Sequence, residues 1–172
     1  MNDMLLVYPS EDMAQDAVDF KNEFLLHDEK TIYGSNRLDM DKYTCAEWLT
    51  LVNGLNESPV DLEKGFSHTL FAIRGDGQPI GIVNIRHPLT GRFENAGHIG
   101  YSVRPTERRK GYATTLLRRT LLYAKKLGLT EVLLVCKKDN EASQKTILRN
   151  GGTLRRVFTN NEAAYEEYQI VL

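Results

Sequence analysis

"RPTERRKGYATTLLRRTLLYAKKLG", residues 104–128, carries eight arginines and lysines against one acid, Glu107, with a glycine where the basic run gives way to an apolar rhythm. The rhythm is helical. Ala113, Leu116, Leu117, Thr120, Leu121, Ala124 and Leu127 recur at three- and four-residue spacing and commit one face to a core. Arg118, Arg119, Lys125 and Lys126 fall largely off that face and read as solvated charges, the last two complementing the negative end of the helix. Ahead of the helix the logic reverses. Arg108, Arg109 and Lys110 stand at a helix start, where they meet the partial positive charge of unbonded N–H groups instead of offsetting it. Three cations in a row make sense there when an anion joins them. Gly111 lets the backbone approach that anion closely and Ala113 keeps the next turn small. The stretch predicts a strand–loop–helix passage built around phosphate or pyrophosphate.

The flanks extend this unit in both directions. "GYSVRP" (100–105) reads as a strand closed by Pro105, "TEVLLVC" (130–136) as a buried strand, and "NEASQKTILRNGG" (140–152) as a helix that Gly151 or Gly152 ends in a left-handed conformation. Upstream, "SHTLFAIRGDGQPIGIVNIRHPL" (67–89) is two β-forming runs around Gly-Asp-Gly-Gln-Pro, a hairpin signature. Downstream, "TLRRVF" (153–158) and "AYEEYQIVL" (164–172) read as strands joined at Thr159–Glu162. At the other end, residues 4–8 read as a short strand. A helix follows from Ser10 with Met13, Ala17, Phe20, Phe24 and Leu25 on one face. After the loop "YGSNRLDMD" (33–41), "MDKYTCAEWLTLVNGL" (40–55) predicts a second helix burying Tyr43, Trp48, Leu51, Val52 and Leu55. The order of elements predicts a mixed α/β (α+β) fold, a mostly antiparallel central sheet flanked by helices.

Composition sets outer limits. A chain of 172 residues, 41% hydrophobic and 26% charged, predicts one soluble domain spanning 1–172. The net charge is -1, yet residues 1–65 hold fourteen acids and five bases, so the basic character is local and fits a confined anion site better than a nucleic-acid surface. An RNA-binding module would also interleave exposed aromatics with its cations. "MNDMLLVYPS" lacks the basic start of a signal peptide and no run approaches the ~18 apolar residues of a membrane helix, so a cytoplasmic protein is expected. Cys45 and Cys136 form no CxxC pair, and the four histidines show no close i, i+4 pairing, so neither metal nor disulfide is expected. GxxxxGK[ST] and GxGxxG are both absent.

Arg108-x-x-Gly111-x-Ala113, placed after a strand end, resembles the pyrophosphate motif [QR]-x-x-G-x-[GA] of the GCN5-related N-acetyltransferases (GNAT). "VLLVCKKDNEASQKTILRNGG" (132–152) resembles the second cofactor segment of that family, and the similarity covers roughly residues 66–158. The resemblance implies the GNAT fold, acetyl-CoA as cosubstrate without a metal, and acetyl transfer to a primary amine of a small molecule or peptide by direct attack through a tetrahedral intermediate. It implies that Arg108, Arg109, Lys110, Gly111, Tyr112, Ala113 and Thr114 hold the pyrophosphate. The pantetheine arm would lie between two splayed central strands near Ser102 and Val103, with Asn140 and Ser143 facing its far end. Ile147 departs from the pattern, because many members carry a tyrosine there as acid for the leaving thiolate. The "N-x-x-S" spacing instead resembles the branch that acetylates ribosomal-protein N-termini, in which a serine at the Ser143 place takes that role. The departure also leaves a catalytically weak acyl-CoA-binding or sensor domain as the alternative.

The chemistry asks for further groups. A lysine-like amine of pKa ~10.4 is neutral only about once in a few thousand molecules at pH 7, so a base or a depressed pKa is required. His98 opens the strand "HIGYSV" near the place of a catalytic glutamate in some family members; it reads either as that base or as a half-buried strand histidine. Glu94 is the other candidate. The oxyanion needs a donor, which a backbone N–H around Val103 would supply. Ser143 is the first choice for acid, with helix capping as its other reading; Tyr165 and Tyr168 are further choices, and Cys136 reads as buried packing. Residues 1–65 are expected on the acceptor side, 66–158 in the cofactor core and 159–172 as the closing strand, with acceptor contacts from loop 31–42 and a homodimer through edge strands as a possible assembly.

Overall fold

The computed structural model describes residues 4–172 and, within that span, leaves the side chain of Arg92 undescribed. The first three residues of the N-terminal reading lie outside the described residues. Seven strands and four helices follow in chain order: β1 (Met4–Val7), α1 (Ala14–Leu26), α2 (Cys45–Asn56), β2 (Phe66–Arg74), β3 (Pro79–His87), β4 (Ile99–Val103), α3 (Tyr112–Lys126), β5 (Glu131–Lys137), α4 (Glu141–Arg149), β6 (Thr153–Asn160) and β7 (Ala163–Val171). This is the order read from the sequence.

Every strand pair is antiparallel, but the sheet is divided. β1-β2-β3-β4 form one sheet and β5-β7-β6 another. The two touch where Gly97 bridges Leu134, and beyond that point β4 and β5 diverge without a ladder. α3 covers one face of the first sheet, where Leu116, Leu117 and Ala124 join a core with Leu70, Ile80, Val83 and Ile85, and α4 lies beside α3 against β5 with Ile147 in the same core. α1 and α2 cover the other, where Phe20, Phe24, Trp48 and Val52 enclose Phe71 and Ile82. The ring of Phe71 lies 5.6 Å from Phe20 and 5.8 Å from Trp48. Trp48 satisfies its one donor on Ser35 O at 2.8 Å, as a buried indole must.

Helix boundaries show which local signals win. α2 starts at Cys45, not at Met40, because Thr44 and Glu47 form a reciprocal capping box: the Glu47 N–H donates to Thr44 Oγ1 at 3.2 Å and the Thr44 N–H to Glu47 Oε2 at 2.8 Å. The shorter helix buries Trp48, Leu49 and Val52, while Leu51 and Leu55 stay half-exposed, correcting the expected core list. Leu25 in α1 is likewise exposed, because Ala17, Phe20 and Phe24 already define the buried stripe. Of the two glycines after α4, Gly151 takes the left-handed conformation, at φ 84°.

The loop between α1 and α2 is laid across β4. Gly34 presses on the backbone of Gly100 so closely that a Cβ would overlap its carbonyl, and its φ of 80° disfavours any L side chain as well. Asp39 holds this loop from within, accepting from the Ile32 N–H at 2.9 Å and the Ser35 hydroxyl at 3.0 Å.

Candidate functional site

The divergence of β4 and β5 opens a cleft of about 910 Å³. Its walls are Ile99 to Val103 on one side and Leu134 to Lys137 on the other, with α3 and α4 presenting their N-termini at one end. Loop 29–34 and the β6–β7 hairpin, through Phe158, Asn160 and Tyr165, complete the lining.

At the helix end the backbone supplies the chemistry. Arg109 and Gly111 both have positive φ, 61° and 83°. The Thr115 N–H is the first to find a helical acceptor, Gly111 O at 3.2 Å, so the amides of Tyr112, Ala113 and Thr114 lie ahead of the helical ladder and point out of the helix start. With the positive dipole end they form an anion cradle, and a Cβ built on Gly111 would meet nothing within 4 Å, so the approach is open. The cradle fits a phosphate group.

The basic side chains divide differently from the sequence expectation. Arg108 lines the cleft, but its guanidinium is engaged: it forms a fork with the Glu29 carboxylate, with Nη2 at 2.8 Å from Oε2, and Nε donates to Val103 O at 3.1 Å. Through Glu29, which follows α1, its side chain braces the wall of the cleft. Lys110 lies outside the lining and pairs with Glu107 at 3.0 Å. Arg109, Gly111, Tyr112, Ala113 and Thr114 do line the cleft, as do Ser102 and Val103 on β4.

Asn140 and Ser143 meet at the start of α4. The Asn140 carboxamide oxygen accepts from the Ser143 N–H at 3.1 Å, so Asn140 is the cap and the Ser143 hydroxyl is left to face the cleft. There Ser143 Oγ stands 3.2 Å from the hydroxyl of Tyr101, a β4 residue that the sequence reading passed over. Burial pushes the Tyr101 phenol up to about 12 and the neighbouring Cys136 thiol up to about 11, so both are protonated at neutral pH. Ile147, at the expected tyrosine place, is buried in the core.

His98 is not at this site. It lies outside the cleft lining, 8% exposed, where its Nδ1 accepts from the Leu133 N–H at 2.9 Å while its backbone N–H donates to Leu133 O at 2.7 Å. The imidazole thus replaces a backbone acceptor and fastens β4 to β5 just before they part. Its ring stacks on His87 at 5.5 Å, and burial, then the positive charge of His87 and Arg86, drives its pKa down to about 4. Of the two readings of His98, this geometry is that of a strand histidine. Glu94 is exposed and also off the cleft, and the Tyr168 hydroxyl is tied to Glu166 at 2.6 Å; Tyr165 does line the cleft, stacked on Phe158. Among the described residues, no group of three or more His, Cys, Asp or Glu could hold a metal, and no helix is long and apolar enough to cross a membrane.

The chain belongs to the GNAT family: the pattern of the acetyltransferase (GNAT) domain matches residues 5–153. No curated protein matches the chain. Among solved structures, the acetyltransferase of GNAT family from Streptococcus pneumoniae is similar at 19% identity and a TM-score of 0.70, covering 99% of this chain and 100% of that one. The microcin C7 self-immunity acetyltransferase MccE, in complex with acetyl-CoA and AMP, is similar at 20% identity and a TM-score of 0.71, over 99% of this chain and 94% of that one. A Vibrio cholerae protein provisionally identified as a ribosomal-protein-serine acetyltransferase is similar at 17% and 0.68, over 98% and 94%. At these identities the likeness is one of fold.

Proposed function

We propose that the chain is an acetyl-CoA-dependent N-acetyltransferase acting on a primary amine of a small molecule or peptide. The observation that carries this reading is the row of free amides at Tyr112 to Thr114 opening onto one end of the cleft between β4 and β5. Family membership supports it, and so does the fold neighbour MccE, whose structure holds acetyl-CoA. Bound acetyl-CoA supplies a thioester whose carbonyl carbon the amine attacks, leaving an amide and the free thiol.

The chain's own residues divide the work. The amides of Tyr112 to Thr114, with Arg109, bind the pyrophosphate. The unladdered backbone of β4 at Ser102 and Val103 orients an extended arm and offers an N–H to the oxyanion. Asn140 fixes the start of α4, and the Ser143 hydroxyl donates to the departing sulfur. With His98 sealed between the strands, the amine proton passes to water in the cleft. An α-amine, of pKa near 7.7–8.0, then reacts from a far larger neutral fraction than a lysine-like amine of ~10.4. Residues 1–65 form the acceptor side, 66–158 the cofactor core and 159–172 the closing strand of one cytoplasmic domain.

The test is release of coenzyme A thiol across a panel of amines, with Gly111→Glu and Arg108→Ala as controls. Both variants should lose acetyl-CoA binding, the first by filling the cradle with a carboxylate and the second by freeing Glu29 and loosening the wall. Binding equal to the parent in both would overturn the reading. Ile147, apolar where a tyrosine is expected, favours one other outcome: tight acetyl-CoA binding with no amine acetylated would make the chain a sensor.

A further inference from the structure

Ser143 sits in the first turn of a helix, where a serine hydroxyl ordinarily turns its proton onto a nearby carbonyl. The Cys136 thiol beside it is only a weak donor and acceptor, and three further neighbours decide whether it does so here. Thr146, one turn on, donates its own proton to Ala142 O at 2.8 Å, and Ile147 is apolar and buried, so neither supplies a donor to the Ser143 oxygen. The third is Tyr101, which comes from the facing strand, with its ring packed against the core and its oxygen 3.2 Å from Ser143 Oγ.

We propose that Tyr101 is a positioning residue for Ser143: its phenol donates to Ser143 Oγ and so turns the serine proton into the cleft, toward the sulfur that departs in acyl transfer. The inference rests on the proposed function and adds the residue that makes Ser143 competent. Hydrogen-bond arithmetic supports the direction. A hydroxyl has one proton and two lone pairs. If Ser143 donated to Tyr101, it would have nothing left for a sulfur; if it accepts, its proton is free for the cleft. The raised phenol pKa keeps Tyr101 a donor throughout the neutral range. No proton needs to leave Tyr101. In the step itself the C–S bond breaks, its electron pair stays on sulfur under the Ser143 hydrogen bond, and the thiolate then takes a proton from water while the amine yields one to water. The hydroxyl missing at Ile147 on α4 is in effect delivered from β4 across the cleft.

The experiment is a double-mutant cycle on the intact chain with Tyr101→Phe, Ser143→Ala and the pair, measuring kcat and KM for acetyl-CoA. Tyr101→Phe keeps the ring and its packing. It should lower kcat roughly tenfold, the size expected for one well-placed hydrogen bond, with KM for acetyl-CoA within about twofold of the parent. The pair should be no slower than Ser143→Ala alone, because the two act as one unit. A second readout needs no acyl donor: the ζ-carbon resonance of Tyr101 in labelled protein, assigned by its loss in Tyr101→Phe, should move in Ser143→Ala. Wild-type kcat in Tyr101→Phe, a full additional loss in the Ser143→Ala background, or an unmoved resonance would overturn the inference. If Ser143→Ala itself keeps wild-type kcat, the proposed acid fails; if the parent acetylates no amine at all, the proposed function fails, and the inference with it.

Discussion

Replacing His98 by asparagine tests whether this histidine is a fastener or a catalyst. The asparagine oxygen can still accept from the Leu133 N–H, but it does not titrate. In the parent, the imidazole is held down to about 4 by burial and by the charges of His87 and Arg86, against an ordinary 6.5. The unfolded chain therefore binds the proton first as pH falls. The His98 contribution is complete above the ordinary value and is lost as pH drops toward the folded one. Taking about 4 and 6.5 as the two values, the loss between about pH 7 and about pH 5 is about 2 kcal/mol. Urea unfolding of parent and His98→Asn at the two pH values isolates it, since carboxylates titrating in the same window contribute equally to both proteins. The difference in unfolding free energy should shift against the parent by that amount at the lower pH, while the pH profile of acetyl transfer keeps its shape. Parallel stability profiles, or loss of the acid limb of the rate profile in the variant, would refute the argument.

Further outcomes follow from other positions. Gly111→Ala should lower stability by about 1–2 kcal/mol, because its left-handed φ of 83° penalises a Cβ even in open space; thermal melting checks it. Thr44→Ala removes the capping box and should cost about 1 kcal/mol in denaturant unfolding without changing acetyl-CoA affinity. Trp48→Ala should cost about 3–5 kcal/mol, since the ring is fully buried among Phe20, Phe24 and Phe71, and a near-neutral effect would mean that α2 does not pack as described.

The strand–loop–helix passage was legible because its signals are local. A strand end, a glycine and an apolar period suffice to place Gly111 at a helix start. The same locality placed Asn140 and Ser143 together. What escaped was long-range partnership. Arg108 read as an anion ligand, since nothing in its own neighbourhood reveals that Glu29, on a different element, will occupy its fork. His98 stayed open between a base and a strand histidine because its partner, the Leu133 amide, lies on a strand met only in the folded chain. Tyr101 could have been found: strand alternation sets it on the same face as Ile99 and Val103. Only the fold brings α4 opposite, however, and turns an ordinary strand tyrosine into the neighbour of a serine.

The parting of β4 from β5 has a consequence for solubility. Each strand keeps an edge whose peptide groups lack a neighbouring strand, and such edges are what recruit other chains into aggregates. Here the vulnerable edges face each other across the cleft, with His98 closing one end and the loop at Gly34 lying over Gly100, so a foreign strand has no flat approach. A slender ligand with amides along an extended chain can enter where a polypeptide is excluded, and its presence should make the protein measurably less prone to self-association on heating.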